Sequence, residues 1–315
     1  MARPKIAFVA SGGAARGIAH LGVLKACEEL GILPEIFVGA SAGALIGATY
    51  GQDIPLDVLL DGFRLPWRQR HRGPRLDVGT FLGAPTLAQL LDPGHLLSGL
   101  FSLDKLEQYL ARSLPLNDFR DLPHPVFITA VDLDRAERVV FGPGYNDRVP
   151  VSQAVTASSC VPGLFRPYKI DGRYYVDGEV ARTLSADLAV QAGADVVIIS
   201  NIYRPEQREG DERSVARATV TGVLTQSLNI LLNEKERRGV ELLSRLYPRV
   251  TFLDIAPDIG MFSYLNRFAA RSLVLRGYRT ALRTLTDARR RGLLGPVDDL
   301  GVRPSWRPAP PDIAR

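Results

Sequence analysis

A serine lies between two glycines at the junction of a strand-like apolar run and a helix-like apolar run. Residues 39–43 read Gly-Ala-Ser-Ala-Gly, the Gly-x-Ser-x-Gly pattern of a turn that presents a nucleophile at the end of a strand. The pattern makes Ser41 the candidate nucleophile for attack on an ester or related carbonyl group. Gly39 and Gly43 are the small residues that such a sharp turn requires.

The usual partner of such a serine is a histidine, and the histidines of this chain are badly placed for that role. The four are His20, His71, His95 and His124, so more than half of the 315 residues follow the last one. In α/β-hydrolases the histidine follows both the serine and the acid. His20 lies in a helical pattern one turn after Arg16 and is expected to pack or cap. Either the Gly-x-Ser-x-Gly match is a coincidence, or Ser41 uses a different base.

A carboxylate is the remaining candidate for the base. Asp177 ends the apolar, β-prone run at 174–177 and is followed by Gly178, so its side chain can reach the edge of a sheet. An aspartate that caps a helix or stabilises a turn has the same appearance in a sequence. Both interpretations of Asp177 stay open on the residues alone.

A glycine-containing loop, Ser-Gly-Gly-Ala-Ala-Arg-Gly at 11–17, separates the first predicted strand from the first predicted helix. Amides exposed at such a position can bind an anion. A dinucleotide fingerprint fits poorly, because Ala14 replaces one of its glycines and Glu35 opens the next strand instead of closing it. An oxyanion hole fits better, since adjacent strand-to-helix turns place residues 12–14 beside Ser41. A tight turn that binds nothing is the third interpretation.

Strand-like and helix-like segments alternate along the chain. Strands are predicted at 5–10, 35–39, 125–133, 137–142, 173–178, 195–200 and 250–256, and helices at 18–32, 42–51, 212–247 and 262–291. This order predicts an α/β three-layer sandwich, with a central, mostly parallel sheet and helices on both faces. We expect a domain at 5–200, a mainly helical C-terminal extension at 201–302 and a Pro-rich tail at 303–315.

Cysteine content and the lengths of the apolar runs predict the cofactor requirement and the cellular location of the protein. Cys27 and Cys160 form no Cys-x-x-Cys pair or metal cluster, so we expect a reducing compartment, no metal and no cofactor. The N-terminal apolar run breaks at a glycine after about five residues, too few for a signal peptide. No apolar run approaches the roughly 20 residues that span a bilayer. The expected location is the cytoplasm, with any membrane contact peripheral.

Two basic stretches could mediate that contact. Five arginines surround Trp67 at 64–75, and further arginines repeat at multiples of four within 267–291. A solvated surface is one interpretation, and docking on an anionic membrane is the other. Nucleic-acid binding is not expected, because several aromatic residues do not alternate with these arginines. The net charge of +5 permits an anionic partner, and the sequence leaves the oligomeric state open.

Several blocks taken together resemble the patatin-like phospholipase family. They are SGGAARGIAHLGVL, GASAGALIGATY, AVTASSCVPGLFRPYKIDGRYYVDG, the overlapping DGEV at 177–180, and SADLAVQAGADVVIIS, in that order within residues 5–200. The resemblance implies a Ser-Asp dyad without histidine, with Ser41 as nucleophile and Asp177 as base. It implies an oxyanion hole from the amides of Gly12, Gly13 and Ala14, helped by Ala42. Arg16, Gly17, Gly39, Gly43 and Gly178 belong to the matching motifs.

The implied activity is hydrolysis of a lipid or other acyl ester, without a cofactor. A thioesterase or small-ester esterase with the same dyad is the alternative enzyme. A non-catalytic interaction protein that keeps the fold is the alternative from another class.

Two residues depart from the family pattern. The family's glycine run is usually longer, and Ala14 is expected to need a negative φ because β-carbon sterics penalise positive values. Glu179 stands where Gly or Ala is usual. We expect its side chain to face solvent; a carboxylate pointing into the site would instead raise the pKa of Asp177 by repulsion.

Overall fold

The computed structural model describes residues 3–62, 101–181, 184–203, 214, 220–259 and 270–294. Its strands are β1 (Ile6–Ala10), β2 (Ile36–Gly39), β3 (Val126–Asp132), β4 (Glu137–Phe141), β5 (Tyr168–Ile170), β6 (Arg173–Asp177), β7 (Val196–Ser200) and β8 (Thr251–Ile255). Its helices are α1 (Ala19–Glu29), α2 (Ala42–Tyr50), α3 (Leu56–Gly62), α4 (Asp104–Ser113), α5 (Val151–Ser158), α6 (Ala186–Gln191), α7 (Val220–Leu246) and α8 (Ala270–Arg290). Short 3-10 turns cover Ala14–Ile18, Phe119–Asp121 and Gly178–Val180.

The eight described strands form one mixed sheet. Its order is β5-β6-β3-β2-β1-β7-β8, and β4 also pairs with β3. The strands β3, β2, β1, β7 and β8 run parallel to one another. At one side of the sheet, β4 and β6 pair antiparallel with β3, and β5 pairs antiparallel with β6. The mostly parallel sheet expected from the sequence is confirmed, and the three-residue strand β5 was not predicted.

Burial of the central strands explains their sequence. Every residue of β1, β2, β3 and β7 is buried, as expected for parallel strands covered on both faces. Alternate residues of β1 enter different cores: Ile6 and Phe8 pack on one face, and Ala7 and Val9 on the other. Helices cover both of these cores, which confirms the three-layer α/β sandwich.

Strand β3 brings two chain segments together end to end. It pairs with β2 up to Gly39 opposite Ile128, and with β6 from Asp177 opposite Ala130. Because β4 pairs along the other edge of β3 at both places, β2 and β6 must share one edge and approach each other from opposite directions. The residues just after Gly39 therefore meet the end of β6 at Asp177.

The region beyond residue 200 is continuous with this sheet. Strand β8 pairs in parallel with β7. Helix α8 lies against α1 so closely that a Cβ on Gly22 would be 2.0 Å from the Val274 carbonyl oxygen, and one on Gly277 would be 2.2 Å from that of Ala19. The domain boundary predicted at residue 200 stays a prediction.

Some sequence predictions fall on other parts of the chain. The basic stretch at 64–75 and the Pro-rich tail at 303–315 lie outside the described residues. Among the helices that are described, none combines the length and the hydropathy needed to cross a membrane.

Candidate active site

Ser41 occupies a strained turn between β2 and α2. Its φ of 52° and ψ of −121° lie in a region that residues with a β-carbon seldom adopt. The Ser41 amide donates a hydrogen bond to Ser158 Oγ at 2.8 Å, and that hydroxyl donates to the Thr129 carbonyl oxygen at 2.7 Å. Helix α5 and strand β3 thus hold the backbone of Ser41 in place, while its side chain is buried at the edge of the sheet.

Asp177 ends β6 beside this serine. The Ser41 hydroxyl forms a hydrogen bond with the Asp177 carboxylate. A second hydrogen bond to the same carboxylate, at 3.0 Å, comes from the Glu179 amide. Burial is the largest effect on this group and raises the pKa of Asp177 from 3.8 to about 6, although both hydrogen bonds act in the opposite direction. The structure therefore pairs a buried hydroxyl with a buried carboxylate of raised pKa.

The loop after β1 places its amides beside the same serine. Gly13 has a φ of 129° and Ala14 a φ of 51°, and the Arg16 amide closes the turn on the Gly13 carbonyl oxygen at 3.1 Å. The expectation that Ala14 needs a negative φ is wrong, because the chain begins its 3-10 turn at this residue in a left-handed conformation. None of the described residues accepts a hydrogen bond from the amides of Gly13 and Ala14.

Glu179 faces inward, so the expectation that it points to solvent is wrong. It is 4% exposed, and the Gly12 amide donates a hydrogen bond to its Oε1 at 2.7 Å. The reason is the 3-10 turn Gly178–Val180, which begins where the Asp177 carboxylate caps the Glu179 amide. From this turn the Glu179 side chain reaches the glycine loop. The Gly12 amide, expected as an oxyanion donor, is therefore engaged by a carboxylate.

His20 is committed to other contacts. Its Nδ1 is 2.7 Å from Ser200 Oγ and its Nε2 is 2.9 Å from the Ser11 carbonyl oxygen. Since a carbonyl oxygen can only accept, Nε2 carries the proton and Nδ1 accepts from Ser200. Burial lowers the pKa of His20 to about 4. A neutral imidazole with both nitrogens occupied secures the glycine loop, in agreement with the packing or capping role expected for it.

The motif glycines lie where backbone segments touch. A Cβ on Gly39 would lie 2.3 Å from the Gly43 carbonyl carbon, and a Cβ on Gly43 would lie 2.2 Å from the Ala10 carbonyl oxygen. A Cβ on Gly17 would lie 2.3 Å from Ala42 Cβ. A Cβ on Gly178 would lie 2.2 Å from the Thr129 carbonyl oxygen. Arg16 is buried within the 3-10 turn, and Ala42 is the first residue of α2. The motif residues thus bring three strand ends into contact around Ser41.

Sequence reasoning missed Ser158 and Tyr203. Ser158 lies in the block that leads to Asp177, yet nothing in its spacing links it to the Ser41 amide. Tyr203 is buried, and a Cβ on Gly12 would fall 2.4 Å from its hydroxyl. Both residues reach the site through tertiary contacts, for which a single sequence contains no signal. Across the described ranges, no group of three His, Cys, Asp or Glu side chains is arranged to hold a metal ion.

Comparison with known proteins identifies the family. The family described as Patatin-like phospholipase matches residues 8–190, which is more than half of the chain. The chain belongs to the patatin-like phospholipase family. This match confirms the family expected from the sequence blocks.

The individual relatives are 27% and 29% identical to this chain over the matched residues. An uncharacterised NTE family protein of Mycobacterium tuberculosis is 27% identical over 226 residues, which cover 72% of this chain and 55% of that protein. Human patatin-like phospholipase domain-containing protein 6 is 29% identical over 204 residues, which cover 65% of this chain and 14% of that protein. The chain thus spans about half the length of the first relative and a small part of the second.

Among solved structures, VipD from Legionella pneumophila superimposes with a TM-score of 0.45 and 16% identity. The superposition covers 91% of this chain and 67% of VipD.

Proposed function

We propose that this chain hydrolyses ester bonds of phospholipids or related acyl lipids through a dyad of Ser41 and Asp177. The observation that carries the proposal is the hydrogen bond between the Ser41 hydroxyl and the buried Asp177 carboxylate. A carboxylate in direct contact with the nucleophile can accept its proton without an intervening imidazole. Membership of the patatin-like phospholipase family supports a lipid ester as substrate.

The first half of the reaction forms an acyl-enzyme. Ser41 Oγ attacks the ester carbonyl carbon while Asp177 accepts the hydroxyl proton, and the carbonyl oxygen becomes an oxyanion. The amides of Gly13 and Ala14, which have no acceptor among the described residues, are the donors that we assign to this oxyanion. The Ala42 amide, at the N-terminus of α2, is the third. Collapse of the intermediate transfers the proton from Asp177 to the departing alcohol.

The second half regenerates the enzyme. Asp177, again ionised, accepts a proton from water as that water attacks the acyl-enzyme carbonyl carbon. The same amides stabilise the second oxyanion, and the fatty acid leaves as Ser41 recovers its proton. The raised pKa of Asp177 suits both halves, because a base with a pKa nearer neutrality takes up and returns a proton more readily than an ordinary carboxylate.

A panel of lipids with product analysis tests this function. Wild type and Ser41→Ala are incubated with diacyl phospholipids, lysophospholipids, acylglycerols and acyl thioesters, and the released fatty acid is identified. We expect release from oxygen esters by wild type alone. Preference for a thioester or a short soluble ester would favour the alternative hydrolases. If no lipid were hydrolysed and a fluorophosphonate did not label Ser41, the result would favour a non-catalytic interaction protein.

We further propose that the protein works in the cytoplasm and reaches its substrate by peripheral contact with anionic membranes. Support comes from the five arginines and the tryptophan at 64–75, a composition suited to a lipid headgroup region. Changing Arg64, Arg68, Arg70 and Arg72 together to Gln should reduce sedimentation with anionic vesicles, most clearly at low salt. Hydrolysis of a soluble short-chain ester is the control and should be unchanged. Equal vesicle binding by the two proteins would contradict the proposal.

A further inference from the structure

Glu179 connects the base to the glycine loop. Its amide donates to Asp177 Oδ1 at 3.0 Å, and its carboxylate accepts from the Gly12 amide at 2.7 Å. Asp177 ends strand β6 and Gly12 follows strand β1, and these two strands are not neighbours in the sheet order. Ser41 and Glu179 both lie close to the glycine loop: a Cβ on Gly12 would be 2.9 Å from Ser41 Cβ and 3.1 Å from Glu179 Cγ. Glu179 therefore links Asp177, through its backbone amide, to the glycine loop, through its carboxylate.

The glycine loop needs such an external restraint. The positive φ angles of Gly13 and Ala14 are consecutive, and a left-handed alanine persists only where surrounding contacts impose it. On the side of β7, three hydrogen bonds fix Ser11: its amide donates to the Ser200 carbonyl oxygen, its hydroxyl accepts from the Ile202 amide, and its carbonyl oxygen accepts from His20. On the side of Asp177, the bond from Gly12 to Glu179 provides the restraint.

We propose that Glu179 is a positioning residue that holds the Gly12 peptide, so that the next two amides, of Gly13 and Ala14, face the reacting carbonyl oxygen. The proposal rests on the hydrolase function described above. It assigns a role to a buried carboxylate that the proposed reaction does not itself use. In this chain the Gly12 amide donates its hydrogen bond to the Glu179 carboxylate. The amides of Gly13 and Ala14 are therefore the loop amides that can bind the oxyanion.

Helix α7 supports the same turn. Lys235 Nζ donates a hydrogen bond to the Val180 carbonyl oxygen at 3.0 Å. The adjacent Glu236 is buried, and its burial, with the nearby charges of Asp254 and Glu179, raises its pKa to about 10. Helix α7, which lies beyond the family match, thus contacts the turn that carries Glu179, and Glu179 in turn contacts the glycine loop.

Three substitutions separate the hydrogen bond from the charge. Glu179→Gln keeps an acceptor at the same reach and removes the charge, whereas Glu179→Asp keeps the charge and shortens the side chain by one methylene. Glu179→Ala removes both. Glu137→Ala, which changes an exposed glutamate on β4, is the matched control. The readouts are kcat and KM for a soluble ester, the affinity of a trifluoromethyl ketone that forms a tetrahedral adduct with the serine, and the thermal unfolding midpoint.

We expect Glu179→Gln to keep kcat within about threefold of the wild-type value. In Glu179→Asp and Glu179→Ala we expect kcat to fall about 10- to 100-fold, because small displacements of catalytic groups have effects of this size. KM should change little, and the affinity of the trifluoromethyl ketone should fall in proportion to kcat/KM. A purely structural role would lower the unfolding midpoint without this proportionality.

Other outcomes would overturn the proposal. An unchanged or higher kcat in Glu179→Ala would mean that the carboxylate obstructs the Gly12 amide. An active Asp variant beside an inactive Gln variant would mean that the charge matters instead of the hydrogen bond. The hydrolase function fails on different evidence, namely wild-type turnover that persists in Ser41→Ala or is absent altogether.

Discussion

At the scale of single residues, the proposed site combines a serine in a strained backbone conformation with a carboxylate deprived of water. Ser41 keeps its positive φ because Ser158 and the close contact between Gly39 and Gly43 leave the turn no alternative. Asp177 is 4% exposed, and its carboxylate gains basicity because burial disfavours the charged form. The proposed dyad uses no histidine, because the Asp177 carboxylate is hydrogen-bonded to the Ser41 hydroxyl.

The pKa of Asp177 predicts the pH dependence of hydrolysis. Only the ionised carboxylate can accept the Ser41 proton, so kcat/KM should rise with pH and level off above an apparent pKa of about 6. The pKa of His20 is lowered to about 4, so this histidine does not titrate in the same range. The measurement is kcat/KM for a soluble ester between pH 4.5 and 8.

The other histidines provide the control for this prediction. A variant with His71, His95 and His124 changed to Gln should keep the same ascending limb. Loss or displacement of the limb in that variant would assign it to an imidazole and contradict the role of Asp177.

At the scale of helices and strands, the contact between α1 and α8 depends on two glycines. A Cβ at residue 277 would be 2.2 Å from the Ala19 carbonyl oxygen. Gly277→Ala should therefore lower the free energy of unfolding by about 1–2 kcal/mol, because overpacking costs more than the roughly 1 kcal/mol that alanine gains in a helix. Urea unfolding monitored by circular dichroism measures the change.

Gly239→Ala is the matched control for that substitution. Gly239 also lies within a helix, α7, and a Cβ there would meet nothing within 4 Å. This variant should be more stable than wild type by up to about 1 kcal/mol. If the two alanine variants were equally stable, the close crossing of α1 and α8 would not exist in solution.

The sequence predicted which segments form strands and helices better than how those segments pair and pack. Alternation and apolar runs identified the central strands and the turn around Ser41, because these features are local. The antiparallel course of β6 depends on its pairing with β3, and β5 has only three residues to reveal it. The inward direction of Glu179 depends on the 3-10 turn capped by Asp177. The partnership of Ser158 with Ser41 joins residues 117 positions apart, for which local patterns contain no information.

At the scale of the whole molecule, the region after the family match completes the core. Strand β8 protects the edge of β7, and α8 buries Leu273, Val274 and Leu285. A chain shortened after residue 203 would expose that strand edge and the face of α1 that α8 covers. We expect it to bind a hydrophobic dye and to show no cooperative thermal unfolding.

A chain shortened after residue 294 is the control, because it retains every described element. We expect cooperative unfolding and ester hydrolysis from this longer fragment. If the fragment ending at residue 203 behaved in the same way, the C-terminal region would be a separate addition and not a part of the core.

The central claim is that Ser41 and Asp177 act as one catalytic unit, and a double-mutant cycle tests it most directly. The measurement is kcat/KM for a soluble ester with Ser41→Ala, Asp177→Asn and the double variant, each shown to be folded by its unfolding transition. We predict that each single change reduces kcat/KM at least about 1,000-fold and that the double variant is hardly worse than either, because each loss already disables the unit. An Asp177→Asn variant that kept most of the wild-type kcat/KM, or losses that multiplied in the double variant, would contradict the account.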